Sequence, residues 1–362
     1  MHINIEKLLI NHMSGSLDNG IRDIVQALEG IESTSDLLKQ ESLFAEFRRH
    51  LIRSGRVDDL DLILNTAKQR AEVLNEFEPT ELFNILMLNK HWHTGQLEKC
   101  QEIIDHSAHY TGEYSDLLRV FSAYYFNTSG EFDKSLHELD RIKLENIKDR
   151  KNVEHFLGVD LECVRATWRI WNRTETLNYN GIDEDLSYVD SVASNPDVIS
   201  DKSSSLLFLA TGVFYLSHNN YSRAKIFLDH AIGHAVGEGQ AWLPRIQSAL
   251  SVCEHKLGKF SLSAEFLDAS VSNLGKHFGP SGWMIRVVQS LDLHDRHEEA
   301  DILLSKIIEE TERKGEKGYE VWSKIHLAEK GNFIGQSSLL FRMAERSGMR
   351  RACQYMLSND LV

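Results

Sequence analysis

One local pattern recurs along the chain and limits what it can fold into. In FLATGVFYLSHNNYSRAKIFLDHA, residues Phe208, Gly212, Tyr215, Tyr221, Ala224, Leu228 and Ala231 are separated by 4, 3, 6, 3, 4 and 3 positions. Steps of three and four keep side chains on one helical face. The step of six, across SHNN, is a turn between two helices. Gly212, Ala224 and Ala231 are small where two backbones must approach closely, and Phe208, Tyr215, Tyr221 and Leu228 fill the space between. This is the pattern of a tetratricopeptide-type helical hairpin. It returns at RSGRVDDLDLILNTA, HTGQLEKCQEIIDHSA, TSGEFDKSLHELDRI, KLGKFSLSAEFLDAS, HDRHEEADILLSKII and EKGNFIGQSSLLFRMA, with turns near 55, 95, 130, 219, 258, 295 and 331. The spacing is about 35 to 40 residues, as hairpin repeats require. One interval, from 130 to 219, has double length. It accommodates an irregular hairpin with helices at roughly 153–173 and 183–195, linked by NRTETLNYNGIDED.

An amphipathic hairpin cannot bury its apolar face alone, so successive hairpins stack into one core with a concave inner surface. The expected fold is all-α: a superhelical array of about eight TPR-like hairpins behind a short N-terminal helical head. The head spans residues 1–36, with helices at roughly 3–12 and 16–29, Ser16 as N-cap and Gly30 as stop. The array spans 37–347, and 348–362 forms a capping or dimerisation helix. Contacts in such an array are local, so no clear boundary is expected after about residue 36. Only 4 prolines interrupt the 362 residues, which suits long helices.

Several function classes are disfavoured. No apolar run approaches the roughly 18 to 20 residues of a membrane span, and MHINIEKLLINHMSG lacks the order of a signal peptide. Cys100, Cys163, Cys253 and Cys353 are far apart, which reads as reduced, buried thiols in a cytosolic protein. A net charge of −14 argues against broad nucleic-acid binding. No GxxxxGK[ST], GxGxxG, HExxH or GxSxG motif is present, so neither an enzyme nor a cofactor is expected. His91 and His93 in HWH have no partner at ligand spacing and read as solvated or capping side chains, with no metal expected.

The informative residues are polar ones on the first helix of successive hairpins, which lines the concave face of such arrays. Arg165, Arg169 and Asn172 share one face of DLECVRATWRIWNR at i, i+4 and i+7, with Trp168 beside them. Lys202 opens the next hairpin, Arg245, Gln247 and Ser251 belong to the following one, and Arg286 and Gln289 come after. Arginine and lysine suit a peptide carboxylate or acidic side chain, and amides pair with a peptide backbone. The alternative is that these groups satisfy neighbouring acids between repeats. At the C-terminus, Met349, Cys353, Met356 and Leu357 form the apolar face of FRMAERSGMRRACQYM. That face either packs on the last repeat or makes a dimer contact.

The order of hairpins resembles the arbitrium communication-peptide receptors of temperate phages of Bacillus-type hosts, regulators of the RRNPP type. The stretches that carry the likeness are FLATGVFYLSHNNYSRAKIFLDHAI, IQSALSVCEHKLGKF, RHEEADILLSKI, GQSSLLFRMAERSGMRRACQYMLSND and SGEFDKSLHELDRIKL. The resemblance implies a cytosolic homodimer that reads operator DNA through an N-terminal helix-turn-helix. Its repeats would bind a short secreted peptide of about six residues in a groove. Without peptide such a receptor activates a lysis-promoting gene; with peptide, lysogeny is favoured. By position, peptide contacts would fall at Trp168 to Asn172, Lys202, Val213, Phe214, Ser251, Arg286 to Gln289, and Ser347 to Met349. Val213 and Phe214 stand where the resemblance leads one to expect an amide, which implies either a different peptide or a register shifted by one turn. The family's first helix lacks a clear counterpart. SLDNGIRDIVQALEG would be the remaining recognition helix, with Arg22 its one cation. That is thin for a DNA reader, so a TPR-type peptide-responsive regulator or scaffold acting through a protein partner without DNA is the second expectation.

Overall fold

A computed structural model of the chain describes residues 17–32, 57–74, 77–112, 114–147, 150–151, 154, 159–195, 199–235, 240, 242–276, 281–331 and 337–361. The hairpin turns among them share one backbone solution. Gly95, Gly130, Asn219, Gly258, Asp295 and Gly331 all have positive φ, between 56° and 84°. Glycine and short polar residues enter this region at least cost. In the first five turns the next N–H donates five residues back: Gln96 to His91 O, Glu131 to Phe126 O, Asn220 to Tyr215 O, Lys259 to Glu254 O and Arg296 to Leu291 O, at 2.7–3.0 Å. This Schellman closure satisfies carbonyls that a helix end would otherwise leave bare. The turn expected near 55 lies outside the described residues.

The elements between these turns are helical, with no strand among the described residues. In order they are α1 (Leu17–Glu29), α2 (Val57–Val73), α3 (Phe77–His93), α4 (Leu97–His106), α5 (Ser115–Thr128), α6 (Phe132–Arg141), α7 (Leu161–Thr176), α8 (Ile182–Ser194), α9 (Asp201–Ser217), α10 (Tyr221–Gly233), α11 (Leu243–Lys256), α12 (Phe260–Ser272), α13 (Ile285–Leu293), α14 (His297–Lys314), α15 (Lys317–Glu329), α16 (Ser337–Arg346) and α17 (Arg350–Ser358). The helix expected at 3–12, the Ser16 cap and the head boundary at 36 lie outside the described residues. The helix expected at 16–29 is α1, and Gly30 sits in the turn that ends it. No described helix is long and apolar enough to cross a membrane.

The chain forms two compact units, residues 1–121 with 143–158, and residues 122–142 with 159–362, so the boundary falls inside α5. Unit 1 buries Ile21, Ile24 and Leu28 of α1 and Leu60, Ile63, Leu64, Ala67 and Ala71 of α2. Both sets follow the i, i+3, i+4, i+7 spacing of a single helical face. Lys90 of α3 is fully buried there, its ammonium 2.5 Å from the Asp61 carboxylate. His91 is also buried, its ring Nδ1 2.7 Å from the Gln96 amide oxygen. Of the two roles expected, solvated or capping, burial excludes the solvated one for His91; the His93 side chain lies outside the described residues.

Unit 2 contains the opening sequence pattern as α9–α10. A Cβ placed on Gly212 would sit 2.6 Å from Leu228 Cγ, so the small residue there is a steric requirement. The unit also closes on itself, which a purely local array does not do. Phe132 at the start of α6 is buried with Val321, Ile325, Leu340, Ala344, Met349, Ala352 and Met356 of α15, α16 and α17. Gly130 and Gly318 meet so closely that a Cβ on Gly130 would lie 2.9 Å from the Gly318 nitrogen. A chain of hydrogen bonds crosses the same junction. Trp283 Nε1 donates to Tyr319 Oη at 2.5 Å, and Tyr319 Oη donates to Asn127 Oδ1 at 3.1 Å. Asn127 Nδ2 donates to Asn172 Oδ1 at 2.9 Å, and Asn172 Nδ2 to Ser135 Oγ at 2.8 Å.

Candidate functional site

The site in unit 2 is built on α7, which starts where the Asp160 side chain accepts from Cys163 N at 2.7 Å and ends at Leu177, in the left-handed region. Two faces of this helix do different things. Arg165 donates to the Ile142 carbonyl at 3.2 Å and pairs with Glu162. Arg169 lies within 3.1–3.3 Å of Asp140, Glu184 and Asp185. Arg173 bonds Asp185 at 2.9 Å and the Asn180 carbonyl at 2.6 Å. Asn172 is spent on the hydrogen-bond chain described above. This face therefore satisfies acids and amides of unit 2, the alternative that the sequence left open. The face roughly a third of a turn away, at about 100° per residue, carries Trp171 and Glu175. These two line a cavity of about 140 Å³.

The other walls come from the inner sides of successive hairpins: Leu209 and Val213 of α9, Arg245 of α11, Trp283, Arg286 and Gln289 around the start of α13, Tyr319 and Trp322 of α15, and Arg351 and Tyr355 of α17. Three arginines thus face one carboxylate. All three occupy the first turn of their helices: Arg245 is third in α11, Arg286 second in α13 and Arg351 second in α17. No acid occupies any of these first turns. A cation is disfavoured there, because the N-terminal end of a helix is already electropositive. The placement concentrates positive potential on the cavity.

The three are held differently. Arg351 pairs with Glu175 Oε1 and lies 4.4 Å over the Trp322 ring, whose Nε1 donates to Glu175 Oε2 at 3.0 Å. Arg245 is 5% exposed, with its guanidinium carbon over two indole rings, 4.4 Å from the Trp171 centroid and 4.3 Å from that of Trp283. Its Nη1 is buried without a hydrogen-bond partner. Burial pulls its guanidinium down to about 9, opposed in part by Tyr319. Arg286 is half-buried, and burial together with nearby Arg351 pulls it down to about 10 despite Glu175.

Of the peptide-binding residues expected from sequence, the cavity holds Val213, Arg245, Arg286 and Gln289. Trp168 is buried, its ring 4.8 Å from Tyr124 and 6.2 Å from Trp283. Phe214 packs against Tyr179, Tyr215 and His218. Ser251 is fully buried and accepts from Ser290 at 2.7 Å, with Ser263 and His294 also in reach. The Lys202 side chain lies outside the described residues. Met349 and Met356, expected at a ligand or dimer contact, are fully buried in unit 2's own core, with Cys353 packed partly against them. A side chain with no exposure has no surface to offer a second chain, which leaves Leu357, at 59% exposed, as the outward member of that set. Arg22, the expected DNA contact, is exposed on α1 in unit 1.

Trp171, Glu175, Trp283, Tyr319, Trp322 and Arg351 were not legible as site residues by spacing. The signal that marks the arginines is electrostatic: a cation in the first turn of a helix with no acid nearby in sequence. No group of three His, Cys, Asp or Glu side chains able to hold a metal ion comes together among the described residues. No protein-family model and no curated protein matches the chain.

Proposed function

We propose that this chain is a peptide-responsive regulator of the arbitrium-receptor kind, in which unit 2 binds the signal at its cavity. Arg245 carries the reading, as a buried cation set into a cavity wall with an unpartnered N–H. An unpaired buried charge is costly, and a protein keeps one where a ligand completes it. The lining supports the same reading, because α7, α9, α11, α13, α15 and α17 all contribute, as the inner wall of a TPR-like superhelix would. A volume near 140 Å³ is that of a site for one small group, so one end of a short peptide enters and the remainder lies outside. A peptide touching α7, α11, α13 and α17 together stabilises the arrangement in which they converge. It shifts the equilibrium only by its differential affinity for that arrangement. In a dimer, that shift would be read out by N-terminal heads on operator DNA and would govern lysis against lysogeny. Without DNA, the same response would act on a protein partner.

The test is a thermal-shift panel of synthetic hexapeptides, each beside a scrambled control. A binder at 100 times its Kd adds about 2.7 kcal/mol of stability. A broad panel without any sequence-dependent rise would remove the receptor reading. A gel shift with promoter fragments at two salt concentrations then separates the outputs. DNA binding weakens as salt rises, and no retarded band at either salt points to a protein partner.

A further inference from the structure

We infer that Arg245 and Arg286 form a carboxylate subsite, which receives either the free C-terminus or an acidic side chain of the ligand. The inference rests on the cavity being the ligand site, as proposed above, and names the group that it takes. The contrast within the molecule carries it. Among the described residues, the other deeply buried cations have acids against them: Lys90 has Asp61, and Arg169 and Arg173 share Asp140 and Asp185. Arg245 has two indole faces instead. Cation–π contact with two rings holds the guanidinium without neutralising its charge, and Arg245 lines the cavity. The N–H edge of a guanidinium matches a planar carboxylate, which accepts two parallel N–H bonds. Arg286, in the same cavity wall, adds a second positive charge. Glu175 bonds Arg351 and Trp322, and no ion pair joins it to Arg245 or Arg286 among the described residues. Burial also depresses both guanidiniums, Arg286 with help from Arg351 and in spite of Glu175, and a bound carboxylate would relieve it.

The experiment uses the full chain and intrinsic tryptophan fluorescence, because the Trp171 and Trp283 rings both contact the Arg245 guanidinium. Four hexapeptide pools are compared: free-acid and C-terminally amidated, each with and without Asp and Glu. Acetylglycine and inorganic phosphate serve as small probes. The expected result is binding from both free-acid pools if the C-terminus is read, or from both pools with Asp and Glu if a side chain is read. The amidated pool without acids should not bind, and binders that lose that carboxylate should lose roughly tenfold or more in affinity. The arm that retains affinity identifies its source as C-terminus or side chain. Arg245→Lys, which keeps the charge but loses the fork, and Arg286→Gln should each weaken the acids selectively. Binders unaffected by amidation and acid removal would overturn the subsite while leaving the receptor reading in place. Phosphate binding as well as acetylglycine would also overturn the carboxylate assignment. No binder from any pool or probe would remove the receptor reading and the subsite together.

Discussion

Arg169 and Arg245 are both buried, and their consequences are opposite. Arg169 holds three acids together, so Arg169→Ala is expected to destabilise unit 2 by about 1–3 kcal/mol, since Asp185 keeps Arg173 as a partner. Ligand affinity should stay unchanged. A urea midpoint and a binding titration on the same variant check both halves. A histidine in unit 1 gives a pH prediction. Burial, with Lys90 beside it, pulls His91 down to about 4. The unfolded chain binds that proton near pH 6.5 and the folded one only near 4, so stability is lost as pH falls between the two. By linkage the loss is about 3 kcal/mol at most. The urea midpoint should drop between about pH 7 and pH 4.5, and drop less in His91→Gln. In sequence, Arg165, Arg169 and Asn172 are legible as one helical face, and they are one. Which neighbour that face meets depends on the rotation of α7 in its packing, which spacing does not encode.

Hairpins are the scale at which sequence and structure agree most closely, and two glycines separate the reasons. Gly258 has φ +78°, and a methyl group added there would meet no atom within 4 Å, so Gly258→Ala has only backbone strain to bear, about 1–2 kcal/mol. Gly212 is an ordinary helical residue whose added Cβ would strike Leu228 at 2.6 Å, so Gly212→Ala forces α9 and α10 apart for about 1–3 kcal/mol. The two are distinguished by a second substitution. Leu228→Ala should partly rescue Gly212→Ala and leave Gly258→Ala unaided, as a double-mutant cycle of thermal midpoints would show. The turns were readable because a left-handed residue and a Schellman closure are local events. The start of α7 was not: the helix expected from about 153 begins at Leu161, where Asp160 caps it.

At the scale of the molecule, unit 2 behaves as a closed body. The burial of Phe132 among residues of α15 to α17 ties α6, near the start of the unit, to its last helices. Phe132→Ala is expected to cost about 3–5 kcal/mol. Hydrogen exchange should then show lost protection in α16 and α17, more than 200 residues away, as well as in α6. Protection lost only around α6 would show that closure contributes little. The same closure brings Arg351 to Glu175 across 176 residues and so completes the cavity.

The sequence by itself determined helices, turns and the small residues at helix crossings, because each follows from interactions within a few residues or from the 3.6-residue period. It also carried a quieter signal, the arginines placed against the helix dipole. Tertiary structure alone decided which arginines are spent on acids and which are left facing a cavity. That choice depends on the rotation of each helix about its axis and on the meeting of unit 2's ends, and neither is a property of any short stretch of chain.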